Sequence, residues 1–225
     1  MKQVDTVFLF DVDNTLLDND SVADDLRKHL RLKLSNQAEK RYWTIFEKVR
    51  KKLGYADYLG ALQRYRREHP YDHQLPEIAS YLLDYPFSDR LFPRALEVLQ
   101  AFSSFGTVAI LTDGDVVFQP HKIACSGIRA AVDGRVMIYI HKEQELDDVQ
   151  KQYPAKRYVL IDDKLRILSS VKEQLGARVT TIFPRQGHYA LDEELINEYP
   201  AADYTIEKIE DLLQVDSSIW SALKN

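Results

Sequence analysis

Short apolar runs that alternate with helical patterns are the feature that most constrains how this chain folds. Continuous apolar runs of four or five residues, separated by helices, are typical of strands buried on both faces of a parallel sheet. Five such runs, each bounded by polar residues, lie at 7–10, 107–111, 136–140, 157–161 and 178–182. A weaker sixth strand is predicted at 203–206. The alternation predicts an α/β fold built on an open parallel sheet.

Four helical patterns lie between the predicted strands. They span 94–104, 116–126, 143–152 and 165–175. Gly127 and Gly176 each follow one of them, where a glycine commonly ends a helix. These patterns predict the helices that cover the sheet.

Residues 18–91 interrupt this alternation. The stretch has no convincing strand pattern and is rich in Leu, Lys, Arg and Tyr at helical spacing, which predicts about four helices. Ser21 followed by Asp24 resembles a capping box and predicts a helix start, and Gly54 and the region of Pro70 and Pro76 predict breaks between helices. A block of this length is too long for a loop. We therefore expect an all-α cap domain at 18–91 inserted into a core formed by 1–17 and 92–225.

Charge is unevenly distributed along the chain. The net charge is -5, which gives no reason to expect a nucleic-acid partner. Residues 27–67 nevertheless contain 13 Lys and Arg against 3 Asp and Glu. These cations are either the solvated faces of amphipathic helices or an electropositive lid that attracts an anionic substrate. Their spacing does not separate the two interpretations.

Cysteine content and hydropathy restrict where the protein acts. The single cysteine, Cys125, excludes an internal disulfide and is consistent with a reducing compartment. It lies on a predicted amphipathic helix, where we expect it to be buried. The N-terminal apolar run is too short and too soon followed by acids for a signal peptide, and no stretch reaches the roughly 20 apolar residues of a membrane helix. We expect a cytoplasmic protein without a membrane partner.

Two aspartates follow the first predicted strand. Asp11 and Asp13 are two residues apart, so their carboxylates can point to the same side of an extended backbone. Like charges at that distance repel, and a divalent cation would relieve the repulsion. Magnesium is the usual choice beside phosphates. The alternative is a solvated acidic turn or a helix N-cap, since Asp is also a common turn residue.

Polar residues also follow the second and fourth predicted strands. Thr112 and Gly114 end the second, where a hydroxyl and backbone amides beside a helix start suit a phosphate oxygen. Asp162 and Asp163 end the fourth. The residues of each group could instead form an ordinary turn or a helix N-cap. Acids gathered at one sheet edge repel one another, however, so their coincidence indicates a shared function.

These segments resemble the motifs of the haloacid-dehalogenase-like superfamily over nearly the whole chain. DVDNT at 11–15 is similar to the first motif, ILTDG at 110–114 to the second and VLIDD at 159–163 to the fourth. Lys142 lies where the phosphate-binding lysine is expected. Lys122 is the competing lysine, but it lies ten residues after Thr112 within a predicted helix, so we favour Lys142. The inserted helices are similar to the cap of the subgroup whose lid enters between the first two motifs.

The resemblance implies a Rossmann-like core and a two-step phosphoryl transfer. Asp11 would be the nucleophile that forms an aspartyl-phosphate, and Asp13 the acid/base. Thr112 and Lys142 would stabilise negative charge on the transferring phosphoryl group.

The resemblance also implies a magnesium site. Asp11, the backbone carbonyl of Asp13, and Asp163 would hold Mg²⁺, with Asp162 nearby in support. Members of the superfamily that cleave carbon–halogen bonds lack an acid at the position of Asp13. The sequence therefore predicts a phosphatase acting on a small phosphorylated metabolite. A phosphotransferase or phosphomutase, and a phosphate-binding regulatory protein without turnover, are the alternatives.

Overall fold

The computed structural model describes residues 4–214, which form an α/β fold around one parallel sheet. Its six strands lie in the order β3-β2-β1-β4-β5-β6. All five strand pairs are parallel. The predicted strands are confirmed, with small shifts at their ends. They are β1 (Val4–Phe10), β2 (Thr107–Asp113), β3 (Val136–Tyr139), β4 (Ala155–Ile161), β5 (Val179–Pro184) and β6 (Tyr204–Ile206).

The central strand β1 explains why the sequence shows continuous apolar runs. Its side chains alternate between two hydrophobic clusters, because successive residues of a strand face opposite sides. Phe8 and Phe10 pack into one cluster, and Val7 and Leu9 into the other. All four are at most 1% exposed. Both faces of the sheet are therefore covered.

Four α-helices follow β1 within residues 19–83. They are α1 (Asn19–Lys33), α2 (Asn36–Leu53), α3 (Tyr58–Glu68) and α4 (Leu75–Leu83). Leu17 and Leu91 form an isolated antiparallel bridge, so the chain leaves the sheet and returns to it at adjoining points. The number of helices agrees with the sequence pattern. The division into a cap at 18–91 and a core at 1–17 and 92–225 stays a prediction.

Local capping fixes where α1 and α2 begin and end. The predicted capping box at Ser21 is wrong, because the N-cap of α1 is Asp18, three residues earlier. The Asp18 carboxylate accepts hydrogen bonds from the Ser21 amide at 2.9 Å and the Ser21 hydroxyl at 2.6 Å. Gly54 ends α2 as predicted, with φ at 86°, a left-handed conformation that glycine adopts without strain.

Aromatic side chains form the interior of the inserted helices. Tyr42 is 0% exposed, Phe46 5% and Trp43 9%. The Tyr42 hydroxyl donates to the backbone carbonyl of Tyr58 at 2.9 Å. An aromatic cluster with a satisfied polar tip is what a small helical unit needs for a core.

Up to residue 214, seven further α-helices follow the insertion: α5 (Ala95–Phe102), α6 (Phe118–Cys125), α7 (Ile128–Ala131), α8 (Leu146–Gln152), α9 (Leu165–Leu175), α10 (Gly187–Leu191) and α11 (Glu193–Glu198). The helix predicted at 143–152 starts too early, since residues 142–144 form a 3-10 turn before α8. Cys125 is exposed rather than buried; it is the last residue of α6, whose buried side chains are Phe118, Gln119, Lys122 and Ile123. Among the helices of residues 4–214, none has the length and apolar character needed to span a membrane.

Asp25 ties α1 to the segment that returns to the core. Its carboxylate lies 2.5 Å from Arg90 and accepts a hydrogen bond from the Tyr85 hydroxyl at 2.7 Å. Burial by itself raises the pKa of Asp25, but the hydrogen bonds from Tyr85 and Arg90 outweigh it and lower the pKa to about 2. A carboxyl group whose pKa is lower in the folded state stabilises the fold above its ordinary pKa, and this contribution is lost as the pH falls through about 2.

We expect Asp25→Asn to lower the free energy of unfolding by about 1 kcal/mol at pH 7, a modest effect because the pair is partly solvated. The difference from wild type should shrink as the pH falls from 4 toward 2. Urea denaturation across this range measures it. Asp24→Asn is the control, since Asp24 pairs with Arg27 on the surface at 63% exposure. A deficit that is independent of pH would contradict the assignment.

Candidate active site

The carboxyl ends of three strands meet at one edge of the sheet. In the parallel register, Phe10 aligns with Ile110 on β2 and with Ile161 on β4. Asp11 follows directly, and its amide donates to the Ile161 carbonyl at 3.0 Å. The polar residues after β1, β2 and β4 are therefore neighbours, as the sequence predicts.

Lys142 enters this edge from the turn after β3. Its ammonium lies 2.5 Å from Asp11 Oδ1 and 2.6 Å from Asp162 Oδ2. Its backbone amide donates to Asp113 Oδ1 at 2.7 Å, which fixes the turn. Burial alone lowers the pKa of Lys142, but the carboxylates of Asp11 and Asp162 more than reverse this and raise it. The side chain is 1% exposed and positively charged.

Three buried carboxylates surround this lysine. Each of Asp11, Asp162 and Asp163 is at most 2% exposed, and together they offer three oxygens within 4.8 Å of one another. Among residues 4–214, Asp11 Oδ2 and both carboxylate oxygens of Asp163 have no hydrogen-bond partner. Buried polar atoms of this kind are costly unless something compensates them. A hard divalent cation takes oxygen ligands of this kind, so the donor set fits one.

The pKa shifts of these carboxyl groups have the same origin. Burial, assisted by repulsion from Asp11, raises the pKa of Asp162 to about 6. Burial raises the pKa of Asp163 well above its ordinary value. Burial also acts to raise the pKa of Asp11, but Lys142 and Lys164 outweigh it and lower that pKa. Asp11 is thus the carboxyl group of the cluster that most favours the ionised form needed for a nucleophile.

Asp13 lies apart from this cluster. Its carboxylate is 23% exposed and forms an ion pair with Lys122, at 2.6 Å from Oδ1 to Nζ. Val12 between the two aspartates is fully buried. The side chain of Asp13 is not one of the three clustered carboxylates, and the role of its backbone carbonyl as a metal ligand stays a prediction from the resemblance.

Two residues of α6 contact the site and were not predicted as part of it. Gln119 Nε2 donates to Thr112 Oγ1 at 3.1 Å and lies 3.5 Å from Asp13 Oδ2. Lys122 is 1% exposed and pairs with Asp13. Sequence reasoning considered Lys122 only as a rival phosphate ligand. Polar residues three apart on a buried helix face were the available signal.

A cavity of about 580 Å³ opens between this edge and the inserted helices. Asp13 and Asp163 lie on its core side, and Trp43 and Phe46 on the side of the insertion. The aromatic pair therefore contributes to a cavity wall as well as to the core of the insertion. Thr112, Asp11 and Lys142 are buried and are not among the residues that line the cavity.

The basic stretch 27–67 contributes little net charge to the cavity. Of its thirteen cations, Arg27 and Arg50 are the two that line it. Arg27 pairs with Asp24 at 3.0 Å and Arg50 with Glu47 at 2.8 Å. Because both arginines pair with neighbouring acids, the basic stretch does not make its side of the cavity strongly electropositive.

Helix α10, which the sequence did not predict, joins the insertion to the core. His188 Nδ1 lies 2.6 Å from Asp20 on α1, and the His188 amide donates to the same carboxylate at 2.8 Å. Arg50 of α2 donates to the Tyr189 hydroxyl. These contacts close one side of the cavity.

Comparison with known proteins agrees with this geometry. Residues 6–166 match the family of haloacid dehalogenase-like hydrolases. The chain belongs to this family. No curated protein sequence matches the hydrolase. It is 56% identical to a protein from Burkholderia xenovorans described as a haloacid dehalogenase-like hydrolase, with a TM-score of 0.92 and coverage of 97% of this chain and 99% of that one.

More distant solved structures share the fold alone. A protein from Bacillus subtilis described as a HAD-hydrolase bound to magnesium is 17% identical, with a TM-score of 0.59 and coverage of 95% of this chain and 99% of that one. L-2-haloacid dehalogenase from Xanthobacter autotrophicus is 18% identical, with a TM-score of 0.60 and coverage of 95% and 98%. The predicted superfamily and the Rossmann-like α/β fold are confirmed. Because one of these structures is a dehalogenase, the shared fold does not by itself show which bond this hydrolase cleaves.

Proposed function

We propose that this hydrolase is a magnesium-dependent phosphatase that acts on a small phosphorylated metabolite. The observation that supports the proposal most directly is the position of Asp13. Asp13 lies on the cavity, and its Oδ2 makes one long contact, at 3.5 Å, with Gln119. A carboxyl group at that point can exchange a proton with the leaving oxygen of a phosphate ester, whereas cleavage of a carbon–halogen bond releases halide and needs no such proton.

Asp11 is the nucleophile in this proposal. Its Oδ1 is held by Lys142, and its Oδ2 has no hydrogen-bond partner among the described residues. Oδ2 attacks phosphorus, the bond from phosphorus to the leaving oxygen breaks, and Asp13 gives that oxygen a proton. In the second step Asp13 takes a proton from water as the water attacks phosphorus. The Oδ2–phosphorus bond then breaks, which releases inorganic phosphate and regenerates Asp11.

Lys142 and Thr112 stabilise the negative charge of the transferring phosphoryl group. The Lys142 ammonium lies beside Asp11 Oδ1 and is therefore close to any group bonded to Oδ2. The Thr112 hydroxyl can donate a hydrogen bond while it accepts one from Gln119. Fixed donors aimed at developing charge account for much of the catalysis of phosphoryl transfer.

Asp11, Asp163, supporting Asp162 and the backbone carbonyl of Asp13 would hold Mg²⁺ in this proposal. When bound, the ion supplies a positive charge that offsets the phosphoryl oxygens. The unpartnered carboxylate oxygens of Asp11 and Asp163 support this assignment. The Bacillus subtilis relative, which shares the fold, binds magnesium.

We expect the protein to hydrolyse p-nitrophenyl phosphate in millimolar Mg²⁺, and chelation by EDTA to reduce kcat/KM at least about 100-fold, with recovery on adding excess Mg²⁺. Release of p-nitrophenolate measures turnover. Sodium 2-chloropropionate is the matched substrate for the other chemistry found in the family. Halide release from it, without turnover of any phosphate ester in a panel of phosphorylated metabolites, would contradict the proposal.

A further inference from the structure

Lys122 is a buried cation that points at the proposed acid/base. Its side chain is 2% exposed, with Nζ 2.6 Å from Asp13 Oδ1 and 3.1 Å from Asn19 Oδ1. Burying an ammonium is costly unless it is paired and hydrogen-bonded. The ammonium also lies over the ring of Phe118, from the same helix, with Nζ 5.7 Å from the ring centroid. The position is therefore built to hold a charge against Asp13.

Each of the two aspartates after β1 has a buried lysine beside it, and Lys142 also pairs with Asp162. Lys142 contacts Oδ1 of Asp11, and Lys122 contacts Oδ1 of Asp13. In both Asp11 and Asp13, the other carboxylate oxygen, Oδ2, has no strong hydrogen bond to the described residues. For Asp13 the contact of Oδ2 with Gln119 is 3.5 Å long, beyond the usual hydrogen-bond range. Anchoring Oδ1 therefore leaves Oδ2 free for proton exchange.

Lys122 also links Asp13 to the inserted helices. Asn19 is the first residue of α1, and its Nδ2 donates to the hydroxyl of Tyr58 on α3 at 3.3 Å. Tyr58 is 2% exposed and lines the cavity. One network thus fixes the carboxyl group of Asp13 relative to the wall that surrounds a leaving group.

We propose that Lys122 is a positioning residue that orients Asp13 Oδ2 toward the leaving oxygen of the substrate. The inference rests on the proposed phosphatase function. It predicts that loss of Lys122 harms the hydrolysis of esters whose leaving oxygen needs a proton. Esters with a stable anionic leaving group should be affected far less, because general acid catalysis contributes little to their cleavage.

Lys122→Met tests this, since methionine keeps the apolar stem and removes the charge. We expect kcat/KM for benzyl phosphate to fall about 100-fold, and kcat/KM for p-nitrophenyl phosphate to fall less than about 5-fold. The ratio kcat/KM reports the step that forms the aspartyl-phosphate, so slow hydrolysis of that intermediate does not enter the comparison. Equal losses on the two esters would overturn the proposal.

A double-mutant cycle with Asp13→Asn separates positioning from direct contact with the substrate. If Lys122 acts through Asp13, adding Lys122→Met to Asp13→Asn should cost less than about 3-fold more with benzyl phosphate. A further loss close to the full effect of Lys122→Met would instead mean that Lys122 binds substrate itself. Lys172→Met is the matched control, because Lys172 pairs with Asp203 at 2.7 Å and neither residue lines the cavity. It should leave the hydrolysis of both esters unaffected.

Thermal unfolding shows whether each variant is folded. If Lys122→Met does not fold, Lys122→Gln replaces it, since glutamine is smaller and keeps a hydrogen-bond donor. The same comparison of the losses in kcat/KM on the two esters then applies. A wild-type protein that hydrolyses neither ester overturns both proposals. A wild type that hydrolyses both, with a selective loss on benzyl phosphate in Asp13→Asn but not in Lys122→Met, overturns the role of Lys122 alone.

Discussion

Asp11→Asn is expected to lower kcat/KM for p-nitrophenyl phosphate at least about 10⁴-fold, as removal of a nucleophile typically does. The amide cannot form the acyl phosphate, and the Lys142 ammonium loses the carboxylate that lies 2.5 Å from it. Acid-quenched wild-type enzyme should contain a protein species heavier by one phosphoryl group. Mass spectrometry of the intact protein should find none in the variant.

Asp203→Asn is the control for Asp11→Asn, because Asp203 pairs with Lys172 just before β6 and away from the cavity. It should retain wild-type turnover. Because the amide in Asp11→Asn can hydrolyse slowly back to the acid, Asp11→Ala is tested as well, and its activity should be equally low. Turnover within about 10-fold of wild type in both Asp11 variants would exclude Asp11 as the nucleophile.

The sheet and several of its helices could be predicted because their sequence patterns are local. Helix α9 runs from Leu165 to Leu175, as predicted, because its apolar spacing is regular and Gly176 follows. The predicted start of α1 is three residues too late, since Asp18 competes with Ser21 as the cap and only the structure shows which side chain accepts the hydrogen bond. Helix α10 was missed because it is five residues long, and its His188 and Tyr189 are held by the insertion.

In the candidate site, too, some contacts could be predicted from the sequence and others could not. Parallel strands end at one edge, so the sequence could bring Asp11, Asp162 and Asp163 together without any side-chain geometry. The pair of Lys122 with Asp13 spans 109 residues and depends on how α6 packs against the start of α1. The spacing of residues in the sequence does not determine the packing angle between these two helices. The role that we propose for Lys122 therefore depends on a contact that only the structure shows.

Lys142→Met is expected to lower the free energy of unfolding by about 3–5 kcal/mol at pH 8 without added metal, the usual cost of removing one partner of a buried ion pair. Methionine leaves Asp11 and Asp162 uncompensated, and each has an oxygen within 2.6 Å of the lost ammonium. Urea denaturation gives the difference. Lys172→Met is the control, since its pair with Asp203 is 39% and 34% exposed and should contribute less than about 1 kcal/mol.

The pH and metal dependence of that deficit distinguish a charge effect from a packing effect. A carboxyl group whose pKa is raised in the folded state binds a proton more readily there, so protonation stabilises the fold as the pH falls. Because the pKa of Asp162 is already raised to about 6 with Lys142 present, the deficit of Lys142→Met should be smaller at pH 5.5 than at pH 8. Millimolar Mg²⁺ should restore part of it at pH 8, because the cation replaces the missing charge. A deficit unchanged by both treatments would mean that Lys142 fills space and that the carboxylates are not built around a cation.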